Sequence, residues 1–176
     1  MKTTVISYSF TGNNDALAKS IATELGAEHI KVIESKRRTM FSILLDIIFN
    51  RTPRVNAIAQ EVWNNDLVIL MGPIWMGQPA TPLREYFKHI KTGKCQYAYV
   101  TISGGADGDN PKTRDELIKR IGKVPVQIID LSIAGLLPPE PKPTRNDTMA
   151  YRLTDKDVRN LTDMAIKSLK EKMTVS

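Results

Sequence analysis

Cysteine is nearly missing from this chain of 176 residues, with Cys95 the single example. A lone thiol makes no internal disulfide and no cysteine-rich zinc site, so the fold has to rest on an apolar core. Histidine is almost as scarce: His29 and His89 are the only two. Neither has a partner at metal-ligand spacing, so both read as surface or structural residues and no metal is expected. Aromatic residues make up 6%, too few to interleave with basic side chains as a nucleic-acid surface requires, and no nucleic-acid partner is expected. No apolar run approaches the ~20 residues that cross a bilayer. The first 25 residues contain Asn13, Asn14, Asp15 and Glu24 and do not read as a signal peptide. A cytoplasmic protein with one domain over residues 1–176 is the expectation.

The remaining composition is that of a globular chain, 41% hydrophobic and 25% charged. The charge is unevenly placed. Overall, 25 Lys and Arg against 19 Asp and Glu leave +6, and within residues 35–54 Lys36, Arg37, Arg38, Arg51 and Arg54 face only Asp46. That stretch is either a solvated surface or a docking patch for an anionic partner or an acidic membrane face.

Short apolar runs alternate with helical patterns. Thr3–Ser7, Ile30–Ile33, Leu67–Met71, Tyr97–Ile102 and Val126–Leu131 have strand composition, and Leu67–Met71 has no polar alternation, as a strand covered on both faces requires. Leu17, Ala18, Ile21, Ala22 and Leu25 form one stripe of a helix that Gly26 ends. Thr81-Pro82 and Asn110-Pro111 read as N-cap and first helical position of two further helices, the second ending at Gly122. Thr154 with Asp157 resembles a capping box for a last helix lined by Val158, Leu161, Ala165 and Leu169. Strict alternation implies parallel strands, right-handed crossovers and helices on both faces, a three-layer α/β sandwich.

Two segments interrupt the alternation. Gly135–Asp147 holds four prolines and reads as an extended surface crossing. Thr39–Asn50 is a helix apolar around most of its circumference, with only Ser42, Asp46 and Asn50 as a polar stripe. It is either buried in the core or shared with another subunit, a membrane or a ligand. A symmetric homodimer is the expected arrangement.

Open parallel sheets bind ligands beyond the carboxyl ends of their strands, and three loops leave that edge. Ser9-Phe10-Thr11-Gly12-Asn13-Asn14 gathers hydroxyls, amides and a glycine at a helix N-terminus, which suits a phosphate monoester. No lysine closes it as in a nucleoside-triphosphate loop, and no G-x-G-x-x-G occurs. Gly72–Pro79 sets Trp75 among glycines and prolines, where it has little core to enter and is placed to cover something flat. Ser103–Gly108 supplies glycines that let backbone approach a ligand edge.

Together these loops resemble those of the flavodoxin family. VISYSFTGNNDALA (Val5–Ala18) is similar to the family's phosphate loop, and DLVILMGPIWMGQPATPLREYF (Asp66–Phe87) to its second flavin loop. The third loop is similar only in glycine content. The resemblance implies a doubly wound five-stranded sheet of order 2-1-3-4-5 and non-covalent FMN. It places Ser9, Thr11, Gly12, Asn13 and Asn14, with Phe10 in the same loop, around the phosphate. Pro73, Ile74, Trp75, Met76 and Gly77 would line the isoalloxazine, and Ser103, Gly104 and Gly105 would face its pyrimidine edge. Two features depart from family electron carriers: the third loop has no aromatic residue, and the chain is basic.

Other chemistries find no support. Cys95 is followed six positions on by Thr101 rather than the arginine of small phosphatases, and Ser7-Tyr8 replaces the acidic strand end of receiver domains. Asp107 and Asp109 read as helix caps. Any chemistry therefore belongs to the cofactor. Three functions stand: an oxidoreductase passing electrons from NAD(P)H to a quinone or other small acceptor, a one-electron carrier between redox proteins, and a flavin-free binding module.

Overall fold

The computed structural model describes residues 1–35, 38–57 and 60–173; Lys36 and Arg37 of the basic stretch lie outside them. In chain order the elements are β1 (Thr3–Ser7), α1 (Asn13–Leu25), β2 (Glu28–Lys31), α2 (Met40–Ile48), β3 (Leu67–Met71), β4 (Ile74–Trp75), β5 (Gln78–Pro79), α3 (Arg84–Thr92), β6 (Gln96–Ser103), α4 (Lys112–Ile121), β7 (Ile128–Ser132), α5 (Arg145–Ala150) and α6 (Asp155–Met173). Five strands pair in parallel in the order β2-β1-β3-β6-β7, while β4 and β5 make a separate antiparallel hairpin. Counting only the main sheet, this is the expected order 2-1-3-4-5.

Alternation within the strands divides the core into two layers. Val5, Leu67, Ile69, Met71, Ala98 and Val100 face α1 and α6, whose Leu17, Ile21, Leu161 and Ala165 close over them. The intervening Ile6, Val68, Leu70, Tyr97 and Tyr99 face α3 and α4 through Leu83, Phe87, Ile90, Leu117 and Ile121. β3, in the middle, is buried along its whole length, which is why its sequence shows no polar alternation. Strand order reverses at β1, with β2 on one side and β3 on the other, so the crevice beyond the ends of β1 and β3 is the topological switch point.

Several local readings shift, each for a physical reason. β2 starts at Glu28 rather than Ile30 and stops at Lys31, because an edge strand pairs only with Thr4–Ser7 and leaves polar residues in contact with water; Ile33 is exposed. α4 begins one position later than its proline suggests: Pro111 is itself the N-cap, and the Asn110 amide donates instead to Asp130 at 2.7 Å. The proline-rich crossing contains a 3₁₀ turn over Ala134–Leu136 and the start of α5. A reciprocal Thr144–Asp147 capping box opens that helix, too short at six residues to register as a periodic pattern. The capping box of Thr154 and Asp157 forms as expected. α2 is capped by Thr39 and ends at Ile48, and of its nine residues only Ile43 is buried. The helix is therefore not a core element. Among the described residues no helix is long and apolar enough to cross a membrane.

A polar cluster joins the edge of the sheet to α1. The Ser7 hydroxyl donates to Asp15 Oδ1 at 2.7 Å and lies 2.8 Å from His29 Nε2, while Lys31 pairs with Asp15. With the single Ser7 proton given to Asp15, His29 carries its proton on Nε2 and donates it to Ser7. Burial lowers the pKa of His29 below its ordinary 6.5, against the opposing pull of Asp15. The unfolded chain then binds more protons than the folded one just below pH 6.5, so stability rises with pH through that window and falls on acidification. Urea titrations at pH 5 and pH 7 are expected to show a smaller pH dependence for His29→Gln than for the wild type; equal slopes would remove His29 from the account.

Candidate functional site

The first loop closes on itself. Ser9 Oγ accepts from the Gly12 N–H at 2.9 Å, leaving the Ser9 proton free to donate outward. Gly12 is the N-cap of α1, with φ of 97° and no side-chain cap, and the first helical bond runs from the Ala16 N–H to the Gly12 carbonyl. The N–H groups of Asn13, Asn14 and Asp15 thus have no helical acceptor. The Thr11 hydroxyl also makes no hydrogen bond among the described residues. A β-carbon at Gly12 would meet open space, so the left-handed backbone is what requires glycine.

The two asparagines serve the backbone. Asn14 Nδ2 donates to the Ile102 carbonyl at 3.2 Å and its Oδ1 accepts from the Ile102 N–H at 3.0 Å, fully buried. Asn13 spans α5 and α6, donating to the Tyr151 carbonyl at 3.0 Å and accepting from the Leu153 N–H at 3.2 Å. Whatever these residues offer a ligand comes from their main-chain N–H groups, with the side chains fixing where the loop sits.

The second loop is a tight hairpin. Trp75 pairs with Gln78 across Met76 and Gly77, whose φ values are 52° and 78°. Two consecutive residues at positive φ are the signature of a twisted two-residue hairpin turn. Glycine takes this conformation without strain, whereas Met76 carries a side chain into it and projects into solvent. Gln78 Oε1 accepts from Arg84 at 2.6 Å and Arg120 at 3.2 Å, tying the hairpin to α3 and α4. Arg84 is buried with only neutral acceptors; burial first, and then the Arg120 charge, lower its pKa to about 10.

Trp75 sits in a box. Its ring meets Tyr8 and Phe10 edge to face at 5.7 and 6.4 Å, and the Arg38 guanidinium lies 5.9 Å from its centroid. Arg38 is held in turn by Glu34 and Asp46, and Glu34 also accepts from the Tyr8 hydroxyl at 2.8 Å. Burial opposes the Arg38 charge, but these two carboxylates outweigh it and raise its pKa. Burial and the neighbouring Glu34 carboxylate push Tyr8 up as well. Trp63, the other tryptophan, is buried far from this box, stacked on His89 at 4.7 Å.

The third loop packs against β7 and α5. A β-carbon at Gly104 would lie 3.0 Å from Thr148 Oγ1, and one at Gly105, where φ is 72°, would collide with Ser132. These glycines are demanded by the protein's own packing. Asp107, read in sequence as a cap, instead pairs with Arg145 of α5 at 2.7 Å.

The three loops meet around one cleft. Its centre, 180 Å³, is lined by Phe10 and Thr11, by Pro73, Ile74 and Trp75, and by Ser103 and Gly104. A slot of 310 Å³ continues between the hairpin tip, with Met76 and Gly77, and the third loop through Gly105. On the other side, a recess of 470 Å³ passes Ser9 towards Lys31, Arg38 and Arg152. Sequence reasoning missed Met40, Thr148 and Met149, which complete the central walls from α2 and α5, and Arg38 behind Trp75. Of these, only the Thr144–Asp147 spacing ahead of α5 carried a local signal.

No protein-family model and no curated protein matches the sequence. Solved structures do match in shape. A flavoprotein from Lactobacillus acidophilus NCFM, solved in complex with FMN, is 23% identical with a TM-score of 0.64, over 73% of this chain and 92% of that one. A Bacteroides eggerthii DSM 20697 protein assigned as a flavoprotein is 14% identical with a TM-score of 0.64, over 93% and 96%. A flavodoxin from the domain Archaea is 14% identical with a TM-score of 0.55, over 98% and 99%. The fold is therefore the flavodoxin-like α/β sandwich, and the cleft lies at its switch point.

If Asn14 is a structural tie, Asn14→Ala removes two buried bonds to Ile102. It should cost the ligand-free protein about 2 kcal/mol, a fall in Tm of roughly 4–8 °C. An unchanged Tm in the ligand-free protein would return Asn14 to a role in ligand contact alone.

Proposed function

We propose that this chain binds FMN and acts as an oxidoreductase, passing electrons from a nicotinamide to a quinone or another small acceptor. The observation carrying the cofactor reading is the uncapped N-terminus of α1, open to the apolar centre of the cleft. Backbone N–H groups without acceptors, the positive end of a helix dipole and the Ser9 and Thr11 hydroxyls suit a phosphate. The walls beyond suit a flat ring: Ile74, Trp75 and Met76 on the hairpin side, backbone of Ser103–Gly105 on the other. The match in fold to an FMN-containing flavoprotein supports the same reading.

Bound FMN would supply hydride and single-electron chemistry. The chain's part is to hold and orient it. Asn14 and Asn13 fix the phosphate loop, Arg84 and Arg120 fix the hairpin through Gln78, and the Arg38–Glu34–Tyr8 network fixes Trp75. The third loop places no aromatic side chain over the slot, which supports direct access by a small donor and favours an enzyme over a protein-to-protein carrier.

The purified protein is expected to bind FMN one-to-one and in preference to riboflavin. Thr11→Val should weaken FMN by about 1–3 kcal/mol and leave riboflavin almost unaffected. Equal affinity for the two flavins, read by fluorescence quenching, would reduce the loop to an ordinary helix start. The enzyme reading has its own measurement. Under anaerobic conditions NADH or NADPH should bleach the bound flavin within seconds, as turnover at ~10 per second requires. Bleaching only over hours would favour a carrier.

A further inference from the structure

Five of the twelve large apolar side chains exposed among the described residues lie on α2 or directly after it, on its outer side. Met40, Phe41, Leu44 and Ile48 lie along it at 58%, 69%, 40% and 62% exposure, and Phe49 follows at 60%. The inner side is firmly held. Asp46 is bound by Arg38, and Arg84 donates to Asn50 Oδ1 at 3.3 Å and to the Arg51 carbonyl at 3.0 Å. The apolar outer face is thus presented by an anchored helix.

The two carboxylates bonded beside α2 are neutralised. Glu34 and Asp46, the nearby carboxylates, are both engaged by Arg38, with side chains only 10% and 15% exposed. Arg51 and Arg54 are exposed, and the Arg51 guanidinium lies 5.0 Å above the Phe49 ring. An arginine wrapped over an aromatic ring at the border of an apolar patch is placed to keep its charge at a polar boundary while the ring goes deeper.

We propose that this face docks on an anionic lipid surface, with α2 lying in the plane of the interface. The proposal does not depend on FMN. At nine residues α2 is too short to span a bilayer, but phenylalanine, isoleucine and leucine on one side with arginine at the edge is the composition of an interfacial helix. Charge favours lipid over a second copy of the chain. A second copy would bring together two chains of net charge +6, each with an exposed Arg51 at the edge of this face. A lipid surface needs no matching shape and attracts the arginines. Because Met40 also lines the central cleft, docking would set the mouth of the cleft at the lipid boundary.

Sedimentation with phosphatidylglycerol vesicles and with phosphatidylcholine vesicles tests this. The wild-type protein should pellet with the first and far less with the second, and high salt should release part of it. Arg51→Gln with Arg54→Gln should lower partition by about thirtyfold. Phe41→Ser with Ile48→Ser, both exposed, should lower it by about a hundredfold with the melting temperature preserved. If the second pair fails to fold, the arginine pair and the salt titration still decide. The proposal is overturned if the wild type stays in the supernatant with phosphatidylglycerol, or if neither pair changes partition. It is equally overturned if the wild type runs as a dimer by light scattering, ignores vesicles and becomes monomeric on Phe41→Ser with Ile48→Ser.

Discussion

The two-way bond between Asn14 and the backbone of Ile102 sets the first loop against the end of β6, on which one wall of the cleft depends. It joins the first turn of α1 to the last turn of pairing in β6, across a gap that no other described hydrogen bond bridges at that depth. Without it the helix N-terminus and the third loop would be related only by apolar packing, which tolerates sliding. Hydrogen bonds to both the N–H and the C=O of one residue do not, because either displacement leaves a buried polar group unsatisfied. Asn13 repeats the device one residue earlier, towards the segment between α5 and α6. The first loop is therefore a junction of three chain segments, and its amide side chains are used inward.

The opposite wall is organised by guanidinium groups. Arg38, Arg84 and Arg120 each reach across to a loop or helix that apolar contacts alone would leave loosely placed. Arg38 couples α2 to Trp75 and Tyr8, so the cleft wall and the exposed apolar helix share one support. Arg84 has no carboxylate partner, and its lowered pKa records the cost of that burial. Its neutral acceptors on Gln78, Asn50 and Arg51 are what keep the charge tolerable and the hairpin in place. α2 can keep an apolar outer face because polar ties, with Ile43 as its one buried side chain, attach the helix.

Much of the frame was legible along the chain. The unbroken apolar run Leu67–Met71, the glycines after α1 and α4, and the Thr154–Asp157 spacing each act through neighbours a few residues away, so pattern alone identified them. The three loops were legible for the same reason: strand, turn and helix start are contiguous in sequence. Less was legible where a residue's partner is distant. Asn13 and Asn14 looked like ligand donors, and their side chains turn out to hold backbone at Tyr151, Leu153 and Ile102. Gly104 and Gly105 looked like openings for a ligand, and they make room for Thr148 and Ser132.

The sequence by itself determined the fold class, the succession of the five main-sheet strands and which loops share an edge, since alternation, capping and turn residues are local and the right-handed crossover leaves few topologies open. Only the tertiary structure decided how the cleft is walled. Met40, Thr148, Met149 and Arg38 come from segments remote in sequence, and no periodicity encodes a contact between them. The exposure of α2 was decided there too. An apolar helix reads the same whether its face is covered or not, and what covers it depends on the shape of the surrounding chain rather than on its own residues.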